Sequence, residues 1–528
     1  MWVPLLASLD LTGFTPFLWG ALVMAVGMLI WDTIEVGRND ATNLINAAYG
    51  ARILRRRPAV WVAGAGVVLG ACLSSGVIDT ARKGIFEPAQ LATLESALEK
   101  ALAIYIAVYI VDTVLLYTYS AFGMPVSTTA CLVFELLGAS FAVGGPRIVN
   151  WPNAGKVVFA IVCSIFISAV AGFIFQRALR GAIQDRCQSL RTLLLHGAWA
   201  GGGILTMLTY FMVVKGMKSV DIVARFNKEV IGEYGAGVVV FVIWAVFAIL
   251  IHALLVIFQK KAAHYLFPVI AVIGTICMGF AFGQNDLANC ASPGLSAITL
   301  IENREQGVAL ASKVELAGWM LLVCGILLVA GMSTRNARRV TRAQVSTGSM
   351  SNTVALYAPR WCIRLARVLT RYRGRQPTLA PSPLTPETGE VRDYDPLRAC
   401  VILGVSASVI ATASSFKMPV STTYVAFAAV VATGAADRIL QRGDSDLKIA
   451  RTIWVVFSWF AAAAIAAVAA GLVCKLIVFT GLIGMGIGLA ANLACRYYFA
   501  RRGEAQDRRI QEEAKERMFP EAYAEYEG

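Results

Sequence analysis

Charge is scarce in this chain. Asp, Glu, Lys and Arg make up 15% of its 528 residues, against about 25% in an ordinary soluble protein, so a chain folded entirely in water is excluded. Histidine occurs only as His196, His252 and His264, without catalytic or ligand spacing. The eleven cysteines are scattered, mostly inside apolar stretches (Cys72, Cys131, Cys163, Cys277, Cys324, Cys474), and none forms a Cys-x-x-Cys pair. A zinc site or a dithiol centre therefore has no support, and no nucleophile–base constellation argues for an enzyme. The N-terminus has neither a basic stretch nor a clear small-residue cleavage site, so residues 17–36 read as part of the mature protein.

What the chain does have is apolar length. Its residues are 57% hydrophobic, with a mean hydropathy of +0.65. The apolar blocks fall near 17–36, 58–78, 101–119, 124–143, 154–175, 192–214, 235–258, 266–282, 312–332, 397–415, 418–435, 449–474 and 476–495. Runs of roughly 20 apolar residues cross a hydrocarbon core about 30 Å thick, which predicts an all-α polytopic membrane protein with about 12 membrane segments. In a soluble chain the formal net charge of +14 would invite a nucleic-acid partner. Here the basic residues cluster between apolar blocks, as the positive-inside rule expects of cytoplasmic loops, so the expected partner is the bilayer and no nucleic acid.

Two motifs occur twice. Gly37-Arg38-Asn39-Asp40-Ala41-Thr42-Asn43 returns as Gly283-Gln284-Asn285-Asp286-Leu287-Ala288-Asn289, and Met124-Pro125-Val126-Ser127-Thr128-Thr129 returns as Met418-Pro419-Val420-Ser421-Thr422-Thr423. Two different motifs in the same order indicate a duplicated unit. Between the motifs of the second copy lies segment 333–396, rich in arginine and then in proline (Pro377, Pro381, Pro383, Pro386). It reads as a basic amphipathic stretch followed by a disordered linker. The expected organisation is a first transmembrane repeat with a flanking helix (1–214), the start of a second (215–332), a cytoplasmic linker (333–396), the rest of the second repeat (397–495) and a charged, solvated cytoplasmic tail (496–528).

Loop charge bears on the relative orientation of the copies. Arg52, Arg55, Arg56 and Arg57 follow the first Asn-Asp motif, whereas Glu302, Arg304, Glu305 and Lys313 follow the second. One loop later the pattern reverses. Residues 79–100 mix Arg82 and Lys83 with Asp79, Glu87, Glu95 and Glu99, while 333–398 is crowded with arginine. Alternation of this kind is expected of two inverted-topology repeats. Blocks 124–143 and 418–435 stay open between full spans and re-entrant hairpins.

Asp40 and Asp286 lie directly after apolar blocks, at membrane depth, where a carboxylate is costly unless it faces protein, water or an ion. The surrounding Gly and Asn favour a broken helix whose freed carbonyls, with Asp and Asn side chains, offer hard oxygen ligands to a coupling cation; the bland alternative is an Asx-type cap. Pro-Val-Ser-Thr-Thr suits a helix start. Its hydroxyls and unpaired first-turn N–H groups suit an anion, the alternative being hydroxyls bonded back to their own helix. Arg38, beside the first motif, is a further candidate for anion contact. Asp32, Glu35, Asp112 and Glu135 could relay a proton or bond between helices.

At these four motifs the sequence resembles the PiT-type inorganic phosphate transporters, as a divergent bacterial member. The resemblance implies inverted repeats and symport of inorganic phosphate with sodium (or protons in some bacterial members), without another cofactor. A homodimer in the cell inner membrane is implied as well. Carried over, Ser127, Thr128, Thr129, Ser421, Thr422 and Thr423 would bind phosphate beside Asp40 and Asp286. Asn39, Asn43, Asn285 and Asn289 would help hold sodium. The family often has His after Ser-Thr-Thr, where this chain has Ala130 and Tyr424, and His before the second glycine, where it has Phe282; a small residue is usual where Arg38 stands. A sulfate permease and a passive anion channel or inert scaffold are the rival readings.

Overall fold

The structure is a computed structural model that describes residues 13–74, 85, 88–91, 94–306, 318–371, 392–439 and 443–518. Its helices are α1 (Pro16–Gly50), α2 (Arg56–Ala71), α3 (Ala97–Ala121), α4 (Thr128–Gly144), α5 (Trp151–Ile183), α6 (Leu190–Thr209), α7 (Asp221–Phe226) and α8 (Gly232–Glu302). They continue as α9 (Gly318–Met332), α10 (Arg335–Thr347), α11 (Arg360–Thr370), α12 (Pro396–Ser415), α13 (Thr422–Ala436), α14 (Ser445–Thr480) and α15 (Leu482–Met518). No β-strand occurs among the described residues.

Eight of the described helical stretches are long and apolar enough to cross a membrane, and α9 with α10, bent by 69°, would add a ninth. This differs from the expected count of about twelve for local reasons. One stretch contains two apolar arms, because α8 departs from helical geometry at Gly235 and Gln259. Conversely, α2 and α13 have only 16 and 15 residues. The outward faces are apolar: α5 exposes Phe159, Phe166 and Phe173, the first arm of α8 exposes Phe241, Ile249 and Ile257, and α14 exposes Phe460 and Val468. In water such faces would be unstable, whereas against lipid they need no partner.

The Asn-Asp motifs do not break their helices. Both 37–43 and 283–289 lie in continuous α-helix, in α1 and in the second arm of α8. Their glycines serve close packing instead. A Cβ on Gly37 would lie 2.0 Å from the Leu328 carbonyl oxygen of α9, and one on Gly283 would lie 2.2 Å from that of Val67 in α2. The breaks fall elsewhere, at Gly235, Gln259 and the α9–α10 bend.

The segment read as a linker contributes structure. In α10, Ala337, Val340, Thr341, Gln344 and Val345 are buried against the rest, an apolar stripe at helical spacing. Thr42 of the first motif donates to Gln344 Oε1 at 3.0 Å. The tail continues as α15, where Asp507 pairs with Arg339 and Arg342 of α10 at 3.4 and 3.1 Å. The four prolines expected in the linker, and Asp79, Arg82, Lys83, Glu87 and Lys313 of the loops, lie outside the described residues.

Candidate functional site

The four motifs meet in the core. Each hydroxyl motif follows a turn with positive φ, at Gly123 (64°) and at Lys417 (59°), then runs extended into the interior and starts a helix. Ser127 caps α4 by accepting from the Ala130 N–H (3.0 Å), and Ser421 caps α13 by accepting from the Tyr424 N–H (3.1 Å). These are ordinary N-caps, but they sit at buried helix starts, with Ser127 and Ser421 each 1% exposed.

Side chains of the Asn-Asp motifs fasten these turns. Asn39 donates to the Val126 carbonyl (2.7 Å), and Asn285 donates to the Val420 carbonyl (2.6 Å). The two turns are also cross-linked, since Thr129 donates to the Val420 carbonyl (2.9 Å) and the Thr423 hydroxyl lies 3.1 Å from the Val126 carbonyl. Asn43 donates to Thr423 Oγ1 (3.0 Å) and Asp40 Oδ1 (3.2 Å); its counterpart Asn289 donates to Thr129 Oγ1 (2.8 Å) and Asp286 Oδ1 (2.7 Å). These turn-fastening contacts recur in both halves, whereas, among the described residues, the bridge that Thr128 makes between the two aspartates has no counterpart at Thr422.

The carboxylates lie at the centre of this network. Asp40 Oδ1 accepts from Thr423 at 2.8 Å. Thr128 Oγ1 lies 3.3 Å from Asp40 Oδ2 and 3.2 Å from Asp286 Oδ1. Both aspartates are fully buried, and among the described residues neither pairs with an arginine or lysine. Among the described residues, the side-chain oxygens of Asn43 and Asn289 are buried without a hydrogen-bond donor. Those two hard oxygens, beside two carboxylates, could hold a small cation. By contrast, the acceptor oxygen of Asn285 is occupied by the Val420 N–H at 3.1 Å.

Arg38, expected at the anion, is placed elsewhere. Its Nη1 donates to both Glu35 oxygens at 2.8 Å, and Arg496 of α15 donates to Glu35 Oε1 at 2.8 Å. A buried carboxylate captures the nearest cations, and Glu35 is one helical turn from Arg38. Gln284, the matching residue, donates to the Gly216 carbonyl at 2.7 Å. Arg496 was missed by sequence reasoning, which gave everything after Cys495 to a solvated helix. The usable signal was Asn492 four residues earlier, inside the apolar block, to whose Oδ1 Arg496 Nε donates (3.0 Å). Of the weaker candidates, Asp32 lies against Asp112, and the Glu135 carboxyl is buried without a hydrogen-bond partner among the described residues. No cluster of His, Cys, Asp or Glu able to hold a metal occurs among the described residues.

Apolar outer faces, a buried polar centre and paired carboxylate and hydroxyl motifs from distant parts of the chain define a multi-pass membrane transport protein and not an enzyme. The chain belongs to the phosphate transporter family, whose profile matches residues 36–350 and 389–470. It is similar to a protein of Pyrococcus horikoshii named "Putative phosphate permease", at 25% identity over 480 residues covering 88% of this chain and 99% of that one. A relative of the same name from Thermococcus kodakarensis is 26% identical over 477 residues, again covering 88% and 99%. Among solved structures, "The sodium-dependent phosphate transporter" superposes with a TM-score of 0.62 at 19% identity, covering 87% of this chain and 99% of that one; this likeness supports the fold.

Proposed function

We propose that the chain imports inorganic phosphate across the cell inner membrane by symport with a cation, sodium or proton, through alternating access of one buried site. The observation that carries the reading is the bridge from Asp40 through Thr128 to Asp286, buried and, among the described residues, without an arginine or lysine counter-charge. Two carboxylates near an oxyanion repel it, and the repulsion grows as the local dielectric falls. Cations bound at the carboxylates remove that repulsion, so cation and phosphate bind interdependently. Ser127, Thr128, Thr129, Ser421, Thr422 and Thr423, with the first N–H groups of α4 and α13, are the donors to the anion; Thr129 and Thr423 reach it by turning their single protons away from the Val420 carbonyl and Asp40. For sodium, the free side-chain oxygens of Asn43 and Asn289 are the better ligands; Asn39 and Asn285 mainly hold the turns. Inverted-topology repeats would let one group of helices rock against the other around this site.

Phosphate is preferred over sulfate because a protonated phosphate can donate to Asp40 or Asp286, which sulfate at neutral pH cannot. The test is uptake of labelled phosphate into proteoliposomes, with sulfate as competitor and with sodium and proton gradients imposed separately. Accumulation against the phosphate gradient, driven by one cation and unaffected by sulfate, is expected. Conduction that only equalises phosphate, or equal competition by sulfate, would refute the reading.

A further inference from the structure

Beside the second hydroxyl turn, α5, α6, the first arm of α8 and α12 line a half-open cavity of about 870 Å³. Its walls are almost wholly apolar, including Phe175, Trp199, Met207, Trp244, Val405 and Val420. Gly203 faces open space there, for an added Cβ would meet nothing within 4 Å. A second chamber of about 490 Å³ adjoins it, sharing Phe211, Thr412 and Phe416. Among the described residues this chamber is lined by Lys215, Lys218 and Lys228 and by no carboxylate. Asp221 and Glu229 are on the same stretch of chain but outside the lining. Lys218 donates to the Ser415 carbonyl, Lys215 lies 5.5 Å over the Tyr210 ring, and Lys218 and Lys228 are exposed.

An apolar chamber among membrane-spanning helices, opening onto three lysines, has the polarity of one molecule class. We propose that it binds a single anionic phospholipid, acyl chains in the apolar chamber and phosphate headgroup at Lys215, Lys218 and Lys228. Lysines near a membrane surface favour anionic over zwitterionic lipid, and the chains exchange bulk hydrocarbon for a fitted wall. A second copy of the chain is a poorer occupant, because a two-fold contact would bring these lysines toward their own equivalents. A lipid here would touch the transport site through Val420, which lines the cavity and whose backbone carbonyl accepts from Asn285 and Thr129.

Quenching of tryptophan fluorescence tests this in the full chain reconstituted in vesicles. Dibrominated phosphatidylglycerol and dibrominated phosphatidylcholine are titrated separately, and the signal of the Trp199→Phe/Trp244→Phe variant is subtracted. The expected result is quenching of Trp199 and Trp244 with about tenfold preference for phosphatidylglycerol. Lys215→Gln/Lys218→Gln/Lys228→Gln should bring the preference close to one, and the matching Lys→Arg set should keep it. Gly203→Phe should remove the Trp199- and Trp244-dependent quenching by both lipids. Should the triple variant fail to fold, Lys228→Glu alone, at an exposed position, should still lower the preference at least twofold. Equal quenching by both lipids in the unaltered protein would overturn the proposal, as would a preference that survives loss of the lysines. So would loss of that preference on adding millimolar inorganic phosphate, which would assign the lysines to the free anion. Absence of quenching together with efficient cross-linking of two copies through this face would assign it to a dimer.

Discussion

The Thr128 hydroxyl stands between Asp40 Oδ2 and Asp286 Oδ1, at 3.3 and 3.2 Å, so one side chain links the acidic residues of both halves. A hydroxyl has one proton and can donate to only one carboxylate at a time. The other carboxylate is left to seek a proton or a cation. Thr128→Val keeps the shape and deletes the donor. A hydrogen bond to a charged group contributes about 1.5–3 kcal/mol, so phosphate uptake should fall by roughly tenfold or more. Thr128→Ser, which keeps the hydroxyl, should remain within about threefold. Initial uptake rates in proteoliposomes decide it, and equal losses in both variants would make the residue a packing element only.

The arginine pair on Glu35 yields an ordered prediction. Removing one partner of a buried ion pair leaves the other uncompensated, which costs about 3–5 kcal/mol when no substitute is at hand. Glu35→Leu leaves Arg38 and Arg496 facing each other without a counter-charge and should lower thermal stability most. Arg496→Leu leaves Glu35 paired with Arg38 and should cost less. Arg38→Gln, which retains the Arg496–Glu35 contact, should cost least and leave the phosphate KM within about twofold. Unfolding in detergent and uptake kinetics are the measurements. A large KM change for Arg38→Gln with stability intact would return that side chain to the anion.

Carboxylate chemistry separates Asp40 from Asp286. Asp40 accepts from Thr423, Asn39 and Asn43, with Thr128 at 3.3 Å, and Asp286 accepts from Asn289, with Thr128 at 3.2 Å. In Asp40→Asn and Asp286→Asn the shape persists but the charge that recruits a cation is gone. Either change should abolish uptake driven by a cation gradient while a folded protein remains by size-exclusion chromatography. Gradient-driven uptake at more than about a tenth of the original rate in both variants would remove the carboxylates from the coupling scheme.

Much of this site could be read from the sequence because its parts are local and doubled. The Asn-Asp and Ser-Thr-Thr motifs mark positions where polar side chains would otherwise be unaffordable in an apolar block, and repetition separates them from chance caps. What escaped notice depended on distant partners. Arg496 sits 461 residues from Glu35; the nearby Asn492 hints at a buried polar face there but does not name the partner. The misplaced helix break has a different cause. Glycine beside Asn and Asp fits a broken helix or a close helix contact equally well, and only the position of Leu328 and Val67 chooses the second. For α10 the basic amphipathic reading agrees with the buried spacing of Ala337, Val340, Thr341, Gln344 and Val345, but no local pattern says which helix that stripe packs against.

Those helix contacts are themselves testable. A methyl group on Gly37 or Gly283 would meet a backbone carbonyl oxygen at 2.0 or 2.2 Å, well inside contact distance, and backbone cannot rotate aside as a side chain can. The reciprocal position behaves alike, since a Cβ on Gly331 would lie 2.1 Å from the Ile34 carbonyl oxygen. Relieving such an overlap requires α1 to part from α9, or α8 from α2, which would carry Asp40 or Asp286 off the hydroxyl turns. Over-packing of this kind costs about 1–3 kcal/mol or more, so Gly37→Ala, Gly283→Ala and Gly331→Ala should each lower both the unfolding temperature and uptake. Gly27→Ala and Gly155→Ala are the controls, because nothing lies within 4 Å of their added Cβ; in helix they should be neutral or gain roughly 0.5–1 kcal/mol. Were the two groups of variants indistinguishable in unfolding temperature, the motif glycine would not be a packing residue, and a local opening of the helix would again be the better account of its presence.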